Sequence, residues 1–192
     1  MHHNKENVEI PLTEDLMREH GVLNRILLIY EAVIQKIEHH QDFWIDALKK
    51  SVDIIQFFIE AHHERMEEDY IFPLFEKHKK NLHLIQTLKE QHIKGREITA
   101  DLKEIITKDT IDHAHKMSIK KLLHEFVEMY RPHEAREDTE IFPEVRSFLT
   151  EKEFEELGEK FEEFEDQLFG KDGFERMMIK IKSIEKALDI TF

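Results

Sequence analysis

Apolar residues recur every three or four positions along almost the whole 192-residue chain, and that spacing confines it to helices packed by one face. The first stripe runs Leu16, His20, Leu23, Leu27, Tyr30, Ile34 and Ile37; Thr13 is its expected N-cap, with Glu14 and Asp15 in the first turn. A second runs Leu48, Val52, Ile55, Ile59, His63, Met66, Tyr70 and Leu74, and Pro73 is expected to kink or end that helix. The third is Ile85, Leu88, His92, Gly95, Ile98, Leu102 and Ile105, and the fourth Ile119, Leu122, Phe126, Tyr130, His133, Glu137 and Ile141. The polar connections near 40–42, 77–81 and 107–112 are short, so consecutive helices become antiparallel neighbours. The expected fold is all-α, an up-down-up-down four-helix bundle over residues 1–148.

Residues 149–192 read as a C-terminal helical extension. Thr150 and Glu153 have the spacing of a capping box and open the stripe Phe154, Leu157, Phe161, Phe164, Leu168. Gly170 and Gly173 break the chain before Phe174, Met177, Ile181, Ile184 and Leu188. Such narrow seams need a partner. Packing on the bundle is the expectation, and the alternatives are each other or a second chain, which leaves a homo-oligomer open.

Composition removes whole classes of function. Without a single Cys there are no disulfides, zinc ribbons, thiolate-held clusters or Cys nucleophile. A formal charge of −14 disfavours nucleic acid, whose recognition runs on clustered Lys and Arg. No run of about 20 apolar residues offers a membrane span. The opening MHHNKENVEIP lacks the apolar core of a signal peptide, so a cytoplasmic protein is expected. What stands out is the number of histidines, 14 in all.

Six residues bring those histidines into a pattern. His63-Glu64-Arg65-Met66-Glu67 and His133-Glu134-Ala135-Arg136-Glu137 repeat at an offset of 70, and both segments run on to Ile-Phe-Pro, at Ile71-Phe72-Pro73 and Ile141-Phe142-Pro143. His20 and His92 lie 72 apart, each preceding its hairpin's His-x-x-x-Glu motif by about 42 residues. The chain thus reads as two helical hairpins related by a pseudo-twofold axis. Histidine and glutamate four apart share one helix face, and all six residues lie on or beside the apolar stripes. A carboxylate buried there without a cation is costly, on the order of several kcal/mol. Two metal ions resolve the cost, with His20, His63, His92 and His133 as terminal ligands and Glu67 and Glu137 as bridges. Nitrogen and oxygen donors without thiolate suit iron or manganese, and also zinc. Histidines 39, 40, 78, 83, 113, 115 and 124 fall near ends or on polar faces and read as solvated. His62 points about 100° away from His63 around the helix, and its repeat counterpart is Pro132, which bends the fourth helix just ahead of His133. A ferritin-like site needs Glu-x-x-His twice. Glu60-Ala61-His62-His63 supplies it once, but Tyr130 stands three before His133, so that reading fails.

Through His20, His63-Glu64-Arg65-Met66-Glu67, His92, His133-Glu134-Ala135-Arg136-Glu137 and the two Phe-Pro pairs, residues 12–145 resemble the hemerythrin-like family, the HHE cation-binding domain. The resemblance implies a non-haem centre of two iron ions, bridged by an oxo or hydroxo group and two carboxylates. It also implies reactivity toward oxygen, peroxide or nitric oxide. Oxygen-carrying members have a fifth histidine one turn after the third-helix ligand, where this chain has Arg96, so one iron is expected to take water or another side chain there. Those carriers use His-x-x-x-x-Asp on the last helix; Asp138 has that spacing, whereas the internal repeat favours Glu137. Tyr70, Glu140 and Glu165 are further candidates for the missing ligand. Three readings follow: a redox-active protein acting on a small diatomic or peroxide, a binding module that senses oxygen or iron, and a metal site without turnover that stabilises the fold or stores iron.

Overall fold

The computed structural model describes residues 11–190, and among these the secondary structure is helical. The N-terminal segment read above for a leader, and the outermost residues of both units, lie outside the described residues. Helix α1 spans Leu12–Glu38. It starts two residues earlier than a Thr13 cap predicts, because Pro11 stands in the extended conformation at the cap and its carbonyl accepts the amides of Glu14 and Asp15 at 2.9 and 3.0 Å. A backbone acceptor thus replaces the expected hydroxyl.

Helix α2 occupies residues 45–78 and does not stop at Pro73. Its α-helical opening, Ile45–Ile54, leads into a π-helical stretch, Ile55–His63. One α turn, Glu64–Met66, precedes a second π turn, Glu67–Ile71, and the α-helix resumes over Phe72–His78. The π turn explains the proline. The Phe72 amide bonds the carbonyl of Glu67, five residues back, and Pro73 falls in the first turn of the resumed α-helix, where no donor is missed.

Helix α3 is Leu82–Ile106. Helix α4 covers residues 113–145, with Pro132 inside its α-helical part His113–Arg136. A π turn at Glu137–Ile141 and a resumed α turn at Phe142–Val145 follow. The repeat therefore extends to the backbone, since Glu67 and Glu137 each open a π turn and Pro73 and Pro143 each follow one. The capping box of Thr150 and Glu153 forms as its spacing predicts and starts α5, Glu151–Phe169. Gly170, at φ 70°, ends α5, and α6 follows over Gly173–Ala187.

Helix α1 packs on α4, α4 on α3, α3 on α2 and α2 on α1, which closes a ring of four helices. Helix α5 lies on α1, and α6 lies on α1 and α2. The buried stripes largely match the sequence reading, but Leu123 rather than Leu122 and Ile106 rather than Ile105 enter the core, Tyr70 and Leu74 are half-buried, and Leu168 is exposed. The apolar interior divides into two layers. One holds Leu23, Tyr30, Ile59, Ile98, Phe126 and Tyr130, together with Met177, Ile181 and Ile184 of α6. The other holds Leu16, Met66, Phe72, Leu88 and Phe142, together with Phe154 and Phe161 of α5. All four helices of the ring pass from one layer to the other, and His20, His63, His92 and His133 stand at the passage. No described helix is long and apolar enough to cross a membrane.

Candidate metal centre

Between the two layers the chain buries what ordinarily stays in water. Glu67, Glu137 and His92 are 0 % exposed, and His20, His63 and His133 are 2 % exposed. The imidazoles form two pairs, His20 with His63 at 4.7 Å between ring centroids and His92 with His133 at 4.9 Å. Glu67 spans the pairs, with Oε1 3.4 Å from His63 Nε2 and Oε2 3.4 Å from His92 Nε2. Glu137 spans them from the opposite hairpin, with Oε2 3.3 Å from His20 Nε2 and 3.1 Å from His133 Nε2. Donor atoms of His20, His63, Glu67 and Glu137 lie within 4.8 Å of one another, as do those of His92, His133 and Glu137.

These separations suit metal ligation. Two donors each about 2.1 Å from one ion and at right angles to it stand about 3 Å apart. The alternative, hydrogen bonding, is largely unmet: Nε2 of His20 and His63 and both carboxylate oxygens of Glu67 and Glu137 are buried without a hydrogen-bond partner. His92 and His133 turn Nε2 toward each other at 3.1 Å. Leaving so many buried polar atoms unpaired costs on the order of several kcal/mol in total, which cations would offset. The donors present therefore fit two ions, each with two imidazoles from one hairpin and carboxylate oxygens from both.

The other nitrogen of each ring is occupied. His63 Nδ1 lies 2.6 Å from Glu19 Oε2, and His133 Nδ1 lies 2.9 Å from Gln91 Oε1. His20 Nδ1 lies 2.8 Å from Asp138 Oδ1, and His92 Nδ1 lies 2.9 Å from Glu68 Oε1. Each acceptor fixes the tautomer with its proton on Nδ1 and the Nε2 lone pair facing the centre. Glu19 and Gln91 are 72 apart and Glu68 and Asp138 are 70 apart, so the orienting groups obey the ligands' own offsets. Each is also a chain neighbour of a ligand: Glu19 of His20, Gln91 of His92, Glu68 of Glu67, Asp138 of Glu137. The Ile-Phe-Pro motifs join in, as Phe72 stacks on His92 at 5.6 Å and Phe142 on His20 at 5.3 Å.

Electrostatics point the same way. Burial works to lower the His20 and His92 pKa values, yet the surrounding carboxylates raise both to about 9. Burial works to raise the Glu137 pKa, and His133 and His20 hold it well below the usual carboxylate range. Without ions the carboxylates favour the protonated forms of His20, His63 and His92. Metal binding must displace those protons, so it releases them.

The remaining candidates separate cleanly. Glu137 faces the centre, and Asp138 orients His20 instead of ligating. Tyr70 packs against Phe161 and Phe164 under the ammonium of Lys160, 4.2 Å from its ring centre. Glu140 is exposed, 3.4 Å from Arg136. Glu165 lies with Glu19 and His62, outside the six. Arg96 does not face the ligands. It bonds Glu64 at 2.7 Å and Glu68 at 3.0 Å, and so braces the carboxylate that holds His92. Tyr130 donates to the other oxygen of Glu64 at 2.6 Å. Its hydroxyl crosses α3 at Gly95, where an added Cβ would meet it at 2.1 Å. The repeat counterpart of Arg96 is Asn24, which donates to Glu134 at 2.5 Å. The first hairpin thus supplies an amide where the second supplies a guanidinium. Of the four orienting groups the sequence reading singled out Asp138 alone, as an alternative ligand, although the adjacency of all four to ligands at the same offsets was a visible signal.

The family model described as the hemerythrin HHE cation-binding domain matches residues 12–145. Uncharacterized proteins of Mycobacterium tuberculosis and Mycobacterium bovis are 39% identical over 185 residues, covering 95% of this chain and 72% of theirs. No solved structure matches the chain. The match spans both hairpins and all six residues of the cluster, and the chain belongs to the hemerythrin HHE cation-binding family.

Proposed function

We propose that this protein is a non-haem di-iron protein, with its four ring helices running up-down-up-down, that binds or reacts with oxygen, peroxide or nitric oxide. The observation that carries this reading is the convergence of four oriented Nε2 atoms on two buried carboxylates that lack any hydrogen-bond partner. Two bound irons would supply electron exchange with a small ligand. The chain's own part is to hold them. His20 and His63 would hold one ion and His92 and His133 the other, with carboxylate oxygens of Glu67 and Glu137 within reach of both. Asp138, Glu19, Glu68 and Gln91 keep the imidazoles from turning. Phe72 and Phe142 wall the centre against water. Manganese and zinc use the same donor types, so metal identity is the first thing to measure.

The test is metal content per chain after expression with iron available and purification without chelator, followed by rapid mixing of the reduced protein with oxygen or peroxide. Two irons per chain and a change in the absorption spectrum on mixing are expected. One zinc per chain, or a spectrum indifferent to both oxidants, would overturn the reading.

A further inference from the structure

The pseudo-twofold is broken beside the dinuclear centre, at residues that are not among its six ligands. Glu19 has Gln91 as its repeat counterpart, and His62 has Pro132. One pole of the bundle therefore carries a carboxylate and an imidazole where the other carries a neutral amide and a proline. Helix α5 crosses that pole and adds Glu165. We propose that Glu19, His62 and Glu165, where α1, α2 and α5 meet, form a third site for a divalent first-row cation.

Each of these residues offers a donor atom within 4.8 Å of the other two. His62 Nε2 and Glu19 Oε1 are 2.9 Å apart, the separation of adjacent ligands on one ion as well as of a hydrogen bond. His62 is 2 % exposed, and its Nδ1 has no partner. Phe58 and Phe169 flank its ring at 6.0 and 5.7 Å, which fixes the imidazole on its carboxylates. The surroundings are short of positive charge. Asp15 and Glu162 stand close enough to add to the repulsion, and Arg18 is the cation nearby, 2.8 Å from Asp15. Burial first, then Glu19 and Asp15, push the Glu165 carboxyl above its usual range. One imidazole and two carboxylates match hard to borderline divalent ions such as Fe²⁺ and Mn²⁺.

The site is distinct from the dinuclear centre yet touches it through one residue. Glu19 Oε2 holds His63, while Glu19 Oε1 faces the third ion. An occupant would therefore bear on the hydrogen bond that orients a ligand of the main centre.

Equilibrium dialysis of the full chain against Fe²⁺ under anaerobic conditions tests this, comparing the wild type with Glu165→Gln. Glu165 is partly exposed at the junction, and circular dichroism of the variant checks that it folds. The expected result is a difference of one ion per chain, with the weakest-bound ion lost in the variant. Equal uptake by the two proteins overturns the third site, whatever the total. The dinuclear reading is judged separately from the ions that the variant retains: two support it, and fewer count against it.

Discussion

Asp138 and Glu137 are neighbours in the chain that serve opposite nitrogens of one imidazole: Asp138 Oδ1 lies 2.8 Å from His20 Nδ1, and Glu137 Oε2 lies 3.3 Å from His20 Nε2. The π turn that opens at Glu137 contains both residues. The same division holds for Glu67 and Glu68 around His92, whose two nitrogens face Glu67 at 3.4 Å and Glu68 at 2.9 Å.

Removing the orienting group without touching a ligand separates the two roles. Asp138→Ala is expected to weaken metal affinity by about 10- to 100-fold, the usual effect of losing such a partner. Glu140→Ala, two residues on and exposed, is expected to leave it unchanged. Competition with a chromophoric chelator reads both. Equal affinities in the two variants would show that Asp138 does not hold His20.

Gly95 is a packing requirement rather than a turn. In Gly95→Ala the new methyl meets the Tyr130 hydroxyl and ring, at 2.1 and 2.8 Å from an ideally placed Cβ, so the ring must shift. A loss of about 1–3 kcal/mol is expected, the range for overpacked cores. Tyr130→Phe removes the nearest clashing atom, so the double variant should lose less than the sum of the two single variants. Urea unfolding of the four proteins measures the coupling, and strict additivity would be the wrong result for this contact.

Asp15 gives a pH dependence of known sign. Burial, with Glu19 next in importance, raises its pKa from 3.8 to about 6. Between about pH 4 and pH 6 the folded chain holds a proton at Asp15 that the unfolded chain has lost. Stability from this group accordingly falls as pH rises through that window, and the penalty is complete above it. Asp15→Asn is expected to stabilise the protein by about 1–2 kcal/mol at pH 7.5, after discounting solvent contact and the lost Arg18 pair, and by clearly less at pH 5. Urea midpoints of both proteins at the two pH values decide it, and a gain independent of pH would assign the effect to something other than ionisation.

The stripes were legible because helical burial repeats every three to four residues, and the six cluster residues because a repeat applied the same spacing twice. Helix ends and proline positions were less so. Thr13 has the right side chain for a cap, but the carbonyl of Pro11 took the position. Pro73 looks like a terminator in α-helical register, whereas a π turn shifts the register so that its missing amide costs nothing. Leu123 replaces Leu122 in the core because a 4-3-4 step through Ile119, Leu123, Phe126 and Tyr130 stays on one helix face as well as the expected 3-4-4 step does. Partners across helices, such as Glu19 for His63 or Asp138 for His20, depend on how two helices are rotated against each other, and no single stripe reports that. Glu165 illustrates the same limit: the sequence placed it on α5, and only the docking of α5 on α1 showed that it meets Glu19 and His62 rather than the six.

Each hairpin brings two imidazoles together, while Glu67 and Glu137 each face both pairs. The seam between the two halves therefore runs through the centre itself. Ions bound there would act as rivets, joining hairpins whose rings are steadied partly from the far side, by Asp138 and Phe142 for His20 and by Glu68 and Phe72 for His92. Emptying the centre would then loosen the join between the halves before it loosened either half alone.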